Sequence, residues 1–90
     1  MFSVKIKTLH QMEKAEFSLV FGAYIKFLRQ EKKWTQPELA DKLGNNFQNV
    51  SAIERGEFTV TIFTAQKISN AFEISLSSLF KGFEEFSNNK

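Results

Sequence analysis

The chain has 90 residues, 42% of them apolar and 11 of them phenylalanine, which is enough for one compact core and too little for a second, catalytic domain. It has no cysteine and a single histidine, so the composition excludes disulfides, thiolate metal sites and a zinc site built on His10 alone. The net charge of +2 says little about partners, and no apolar run approaches the ~20 residues that cross a bilayer, so we expect a cytoplasmic protein with no membrane segment.

The first predicted element is a short strand or an arm, because Phe2, Val4 and Ile6 alternate with polar residues. From about Met12 the apolar spacing becomes helical, and helix 1 is expected to end near Lys33. Its apolar stripe is about 160° wide, more than one packed neighbour needs. We expect the N-terminal segment, the C-terminal phenylalanines or a second copy of the chain to cover the extra flank.

Two short helices around a tight turn come next. Thr35 is a candidate N-cap with a glutamate three residues later, so helix 2 is predicted to begin there and to end at about Leu43. Gly44 tolerates the positive φ that a sharp turn requires. Asn46 can cap helix 3, and Gly56 is predicted to stop it.

Two further helices complete the chain. Either Thr61 or Thr59 can cap helix 4, and Ser75 can cap helix 5. The final letters, EEFSNNK, are polar and predict a frayed tail. The expected organisation is an arm or short strand over residues 1–15, one all-α domain of five helices over residues 16–82, and a polar tail over residues 83–90.

A short helix, a turn with glycine and a second short helix form the helix-turn-helix arrangement, whose geometry many all-α proteins share. Residue identity is more specific. The segments Leu28-Arg29, Thr35-Gln36-Pro37-Glu38-Leu39-Ala40 and Val50-Ser51-Ala52-Ile53-Glu54-Arg55-Gly56 resemble the Cro and phage-repressor helix-turn-helix family, and KISNAFEISLSSLF resembles that family's two closing helices. The resemblance covers about residues 21–80. It implies a lambda-repressor-like fold and a regulator that binds double-stranded DNA.

The resemblance also assigns structural and phosphate-binding roles. It implies that Arg29 and Glu54 form an internal ion pair between helix 1 and helix 3. Gln36 lies at the start of helix 2, where backbone N–H groups and a side-chain amide can bind a phosphate together. Most cations are in the first half, since residues 1–42 contain eight Lys/Arg and residues 43–90 contain four. The further candidates for phosphate contact are Lys26, Lys32, Lys33, Lys42, Ser51 and Arg55.

Base contacts are predicted at the first turns of helix 3. The amides of Gln48 and Asn49 can pair bidentately with adenine, and Phe47 and Ala52 can touch a thymine methyl group, so an A·T-rich half-site is expected. Phe47 departs from the basic residue that the family often has near this position. It either reads or wedges into the DNA, or it packs back onto helix 2 or onto a partner.

A reader of this size gains affinity by pairing, because two copies place two recognition helices about 34 Å apart on a palindromic site. We therefore expect a homodimer with its interface on helix 5, where the apolar residues exceed the needs of a monomer core. The alternative is that they complete that core. The interface candidates are Leu76, Phe80, Phe83 and Phe86.

The sequence has no nucleophile–base pair, phosphate loop, metal cluster or cofactor motif, so neither an enzyme nor a cofactor is expected. Trp34 occupies a position that the family fills with a core residue, and burial is expected rather than stacking on a ligand. The class of regulator stays open among a phage-type repressor, a restriction–modification controller and an antitoxin, with a toxin or polymerase as protein partner. A protein-interaction module on the same scaffold is the rival function.

Overall fold

Five α-helices make up the part of the chain that the computed structural model describes, residues 12–89. The helices are α1 (Lys14–Glu31), α2 (Gln36–Leu43), α3 (Phe47–Glu54), α4 (Ile62–Ala71) and α5 (Leu76–Asn88). The predicted all-α, five-helix fold is confirmed. Of the strand or arm expected over residues 1–15, residues 1–11 lie outside the described residues, and the expected end at residue 15 is wrong because α1 begins at Lys14. None of the five helices is long and apolar enough to pass through a membrane.

Side-chain caps fix where three of the helices begin. The side-chain oxygens of Asn46, Thr61 and Ser75 each accept a hydrogen bond from the backbone N–H three residues later, at 2.8, 3.1 and 3.0 Å. Loss of such a cap typically costs ~1 kcal/mol, so these local signals set the helix starts. Thr61 rather than Thr59 caps α4, and the Thr59 hydroxyl instead hydrogen-bonds the Ser18 hydroxyl at 2.7 Å.

The core lies where α1 meets the other helices. Each helix contributes at least one side chain that is fully or almost fully buried, on the face that the apolar spacing predicts. The most deeply buried apolar residues are Ile25, Leu39, Val50, Ile68 and Leu79. The helices α2 and α3 pack on each other, α1 packs on α3, and α4 packs on α2.

Helix α1 crosses the end of α3 in very close contact at Gly22. A Cβ atom at this position would lie 2.2 Å from the carbonyl oxygen of Ile53 and 2.7 Å from that of Glu54. Both contacts are with backbone, which cannot move aside as a flexible side chain can. A glycine is therefore required for α1 and the end of α3 to pack as one unit.

The predicted polar tail over residues 83–90 is wrong, because α5 continues to Asn88. Phe83 is 2% exposed, and its ring packs edge-on against those of Phe17 and Phe21, with centroids 5.2 and 5.1 Å away. Ser87, one helical turn later, is also buried. The two glutamates between them are exposed, so the polar residues form the solvent-facing side of the helix and do not end it.

The wide flank of α1 is covered in part by these C-terminal residues, one of the three options that the sequence left open, and Phe27 remains 45% exposed. The Phe86 ring lies 5.5 Å from those of both Tyr24 and Phe27. The Tyr24 hydroxyl donates a hydrogen bond to the Leu79 carbonyl at 2.8 Å, which ties α1 to α5. This contact requires a glycine at 82, since a Cβ there would lie 2.3 Å from the same hydroxyl.

Candidate nucleic-acid interface

The helix-turn-helix begins and ends where its local signals predict. The Thr35 hydroxyl accepts from the Glu38 N–H at 3.2 Å, and the Glu38 carboxylate accepts from the Thr35 N–H at 2.7 Å, which completes a capping box. At the other end Gly44 has φ 66°, the left-handed conformation that favours glycine. The Asn45 N–H then donates to the Ala40 carbonyl at 2.9 Å and closes the turn.

The ion pair that the resemblance implied is formed. Arg29 Nε donates to Glu54 Oε2 at 2.6 Å, and Nη2 donates to Oε1 at 3.1 Å, so the contact is bidentate. The third donor, Nη1, reaches the Trp34 carbonyl at 2.7 Å. The Arg29 and Glu54 side chains are only 11% and 3% exposed. The pair therefore fixes α3 to α1 and does not face the solvent.

Gln36 belongs to the same network, which the sequence did not predict. Its Nε2 donates to Glu54 Oε1 at 3.0 Å, so the start of α2 is tied to the end of α3. The contact joins residues 18 apart, and no local spacing rule connects them. The side-chain amide expected to bind phosphate is thus engaged with Glu54 in this structure. Its role at phosphate stays a prediction.

The first turn of α3 presents the predicted base-reading residues to solvent. Phe47 is 49% exposed, Gln48 and Asn49 are also exposed, and Ala52 is half-buried one turn later. The structure thus brings these four residues together on one outward surface. The Asn49 amide donates to the Asn45 side-chain oxygen at 2.8 Å, so part of its hydrogen-bonding capacity is used within the turn.

Arg55, an expected phosphate ligand, has partners inside the chain. Its Nε lies 2.5 Å from a Glu57 carboxylate oxygen, and its Nη1 contacts the Ser51 hydroxyl. Both charged groups are exposed. The hydrogen bond that Arg55 donates to Glu57 raises the pKa of Arg55 and lowers the pKa of Glu57. A phosphate that accepts from Arg55 Nε would have to replace that carboxylate.

The lysines proposed for phosphate contact are all exposed. Lys33 adopts φ 60° at the end of α1, and the Lys42 ammonium lies 4.6 Å from the centre of the Trp34 ring. Trp34 itself is half-buried, and its other neighbour is the Phe72 ring, stacked at 5.2 Å. The expectation that Trp34 packs on the core is borne out.

The predicted interface on helix 5 needs correction. Phe83 is part of the monomer core and cannot contact a second copy, because its ring is already enclosed. Phe86 packs on α1, while Leu76 and Phe80 are half-buried at the edge of the core. The sequence did not predict exposure for Ile62 and Phe63, the most exposed large apolar residues of α4.

The sequence contains a pattern that predicts the exposure of Phe63. Phe63 lies four residues before Lys67 and seven before Asn70, so it shares the polar side of α4. An aromatic residue at that register is expected to remain exposed, and it is.

A family model described as helix-turn-helix matches residues 25–79, which contain every contact described above between α2, α3 and the second half of α1. The chain belongs to the Cro/C1-type helix-turn-helix family. Members of this family are DNA-binding regulators of transcription. The family resemblance read from the sequence is confirmed.

Individual relatives agree with the family. The chain is 38% identical over 63 residues to YqaE, an uncharacterised HTH-type transcriptional regulator of Bacillus subtilis, covering 70% of this chain and 54% of that protein. It is 36% identical over 53 residues to the antitoxin HipB of Escherichia coli, covering 59% of this chain and 60% of HipB. The chain therefore spans little more than half the length of these two relatives.

A solved structure with the same fold is that of the restriction–modification controller protein C.AhdI from Aeromonas hydrophila. It is 31% identical to this chain, and the superposition has a TM-score of 0.64. It covers 69% of this chain and 94% of C.AhdI.

Proposed function

We propose that this protein is a sequence-specific transcriptional regulator that binds a palindromic operator as a homodimer, with α3 in the major groove. The observation that carries the proposal is the exposed first turn of α3 on a rigid support. The buried contacts of Glu54 with Arg29 and Gln36 hold α3 against both α1 and α2. A side chain that reads bases needs such support, because a small displacement removes a bidentate contact.

Gln48 and Asn49 are the proposed hydrogen-bonding readers, and Phe47 is the proposed apolar one. Gln48 is exposed on the first turn of α3, where an amide can pair with the N6 and N7 edge of adenine. Asn49 would exchange its contact with Asn45 for a base. Phe47 and Ala52 supply apolar surface for a thymine methyl group, so the proposed half-site is rich in A·T pairs.

Phosphate contacts would surround this reading surface and set the register on DNA. The proposed ligands are Gln36 at the start of α2 and, around α3, Ser51 and Arg55, with Lys42 at the end of α2. The Glu57 carboxylate accepts a hydrogen bond from the Arg55 guanidinium, as a phosphate oxygen would.

Selection of bound sequences from a random DNA pool tests the proposal, using the full chain. We expect enrichment of palindromes whose A·T-rich half-sites lie about 10 base pairs apart, one helical turn. Gln48→Ala should weaken the adenine preference and leave the steep salt dependence of binding, since phosphate contacts are unaffected. A pool that gains no shared sequence after repeated selection would contradict the proposal.

A protein-interaction role is the second candidate, because α3 carries no lysine or arginine. A recognition helix without cations gains little from phosphate, and exposed Phe47 would suit a protein surface. The similarity to HipB makes a toxin the partner to test for in that case. Gel shifts with genomic DNA separate the two functions, since absence of salt-sensitive binding favours the protein-interaction role.

A further inference from the structure

Two large apolar side chains stand exposed on the first turn of α4. Ile62 is 69% exposed and Phe63 is 72% exposed, although both follow directly on the Thr61 cap in a well-formed helix. The Lys67 ammonium lies 5.8 Å from the centre of the Phe63 ring and covers only part of it. Single exposed apolar residues are ordinary, whereas two adjacent bulky ones indicate a contact surface.

A recess lies directly beside them. It is a shallow apolar cleft of about 150 Å³ between the first half of α1, the start of α4 and the middle of α5. Ile62 forms part of its wall, so the protruding residues and the cleft share one surface. The lining residues are Phe17, Phe21, Val60, Thr61, Ile62, Ala65 and Phe80. We call the cleft together with Ile62 and Phe63 the α4 patch.

The charge of this region suits a surface that faces its own copy. The residues that form the α4 patch are all uncharged, and the Lys67 ammonium lies beside it, 5.8 Å from the centre of the Phe63 ring. In a two-fold dimer the same patch lies on both sides of the interface, so any net charge on it would face itself and repel. Phosphate would gain little from a patch with Lys67 alone beside it, which argues against DNA as the occupant.

We propose that the α4 patch is the dimer interface, with Phe63 of each copy seated in the apolar cleft of the other. A protrusion beside a recess satisfies the two-fold requirement that each copy both gives and receives the same contact. Burying Ile62 and Phe63 would supply roughly a third of the ~800 Å² per partner of a standard interface. The exposed threonines of the same segment and Phe80 would add the rim. The proposal rests on the homodimer stated under Proposed function.

Sedimentation equilibrium of the full chain without DNA tests this interface. We expect the wild type to dimerise at micromolar concentrations and Phe63→Glu to weaken dimerisation at least tenfold, because two carboxylates would be placed in apolar clefts. Leu19→Glu is the matched control. Leu19 is 55% exposed on α1 and does not line the cleft, so its replacement should leave the dimer intact. Circular dichroism establishes that each variant is folded.

A second measurement needs no substitution. Diluting the wild type through its dissociation range should shift the NMR signals of residues 58–65 and of Phe17, while those of the first turn of α3 stay in place. The α4 patch is not the interface if the Phe63→Glu variant dimerises as well as the wild type. Nor is it the interface if dilution shifts the NMR signals of residues elsewhere in the chain. A wild type that stays monomeric at concentrations 100 times above micromolar would also overturn the proposal. The same holds if the NMR signals of the α4 patch respond to DNA or to another protein and not to dilution.

These outcomes separate the interface from the function. A monomer that still binds duplex DNA with a steep salt dependence keeps DNA binding and loses only the interface. A dimer sensitive to Phe63→Glu that binds no DNA keeps the interface and contradicts the proposed function.

Discussion

Glu54 accepts hydrogen bonds from two residues while its side chain is 3% exposed. Replacing Arg29 by methionine would leave this carboxylate buried without its cation. We expect a loss of about 3–5 kcal/mol in the free energy of unfolding, measured by urea denaturation, because an uncompensated buried charge is costly. Adding Glu54→Leu should recover much of that loss. A double variant as unstable as the sum of the single ones would contradict this explanation.

Phe47 is the residue whose role separates reading from packing. It is 49% exposed at the start of α3 and is not part of the core. We expect Phe47→Ala to weaken binding to a selected operator about tenfold, and to change the free energy of unfolding by less than about 0.5 kcal/mol, as is usual for surface positions. Fluorescence anisotropy and urea denaturation measure the two effects.

The control for Phe47 is another half-exposed phenylalanine. Phe27 is 45% exposed but lies on α1, against Phe86. Its replacement by alanine should reduce stability and leave the affinity of the folded protein for DNA unchanged. If Phe47→Ala instead lowers stability and keeps affinity, then Phe47 packs and does not read.

At the scale of the helices, the close packing of α1 on α5 depends on Gly82. In an open helix, Gly→Ala stabilises by up to ~1 kcal/mol, because alanine is the better helix former. We expect the opposite sign for Gly82→Ala, which should lower the melting temperature, since the new Cβ would lie 2.3 Å from the Tyr24 hydroxyl. Combined with Tyr24→Phe, which removes that oxygen, the same substitution should cost less than it does alone. A cost unchanged by Tyr24→Phe would place the clash elsewhere.

The buried position of Tyr24 between α1 and α5 predicts that the free energy of unfolding depends on pH in the alkaline range. Burial, together with the nearby Glu85 carboxylate, raises the pKa of Tyr24 above its ordinary value of about 10. The folded state therefore holds the phenolic proton more tightly than the unfolded state does. This stabilisation is complete below pH ~10 and is lost as the pH rises through the folded-state pKa.

Tyr24 is the single tyrosine in the sequence, so its ultraviolet absorbance reports its titration directly. We expect the midpoint to lie above that of the urea-unfolded chain, and the free energy of unfolding to fall over that pH range. In Tyr24→Phe the alkaline fall should be smaller. Equal midpoints in the folded and unfolded chain would exclude this contribution.

Helix boundaries were predictable where a single side chain determines them. Thr35, Asn46 and Ser75 each cap the residue three positions ahead, so the signal and its structural effect lie within one turn. The choice between Thr59 and Thr61 was not decidable in this way, because both are threonines two residues apart, and the contact that Thr59 makes instead is with Ser18, 41 residues earlier. The contact between Gln36 and Glu54 was missed for the same reason, since it exists only after α2 and α3 have packed.

At the scale of the whole molecule, the last turns of α5 belong to the core. A chain that ends after Gly82 would lack the Phe83 ring, which fills the space between Phe17 and Phe21. We expect this truncation to abolish the cooperative thermal transition, because loss of a buried phenylalanine alone costs about 3–5 kcal/mol, a large share of the stability of a small domain. Circular dichroism melting is the measurement.

A chain that ends after Asn88 is the matched truncation. It keeps all of α5, so its melting temperature should equal that of the full chain. If the shorter chain ending at Gly82 also melts cooperatively at the same temperature, the C-terminal turns are dispensable after all.

At this end of α5 the polar composition predicts a tail, whereas the spacing of the buried residues is that of a helix. Phe83 and Ser87 lie one turn apart on the buried side, while Glu84 and Glu85 lie on the exposed side. The resemblance to a known family ended at about residue 80 and gave no help beyond it. Gln48 and Asn49 lie inside the matched motif, so the sequence could nominate them as base-reading residues, and that role stays a prediction.

Gly22 has a consequence for the geometry of the operator. It presses α1 against the carbonyl groups at the end of α3, while Phe17 and Phe21, on the same helix, line the cleft proposed to receive the second copy. In the proposed dimer, α1 would therefore set the distance from α3 to the two-fold axis. In that arrangement an extra base pair, which rotates one half-site by about 35° relative to the other, would move it out of reach of one of the two α3 helices. The protein would therefore tolerate changes of sequence between half-sites better than changes of their spacing.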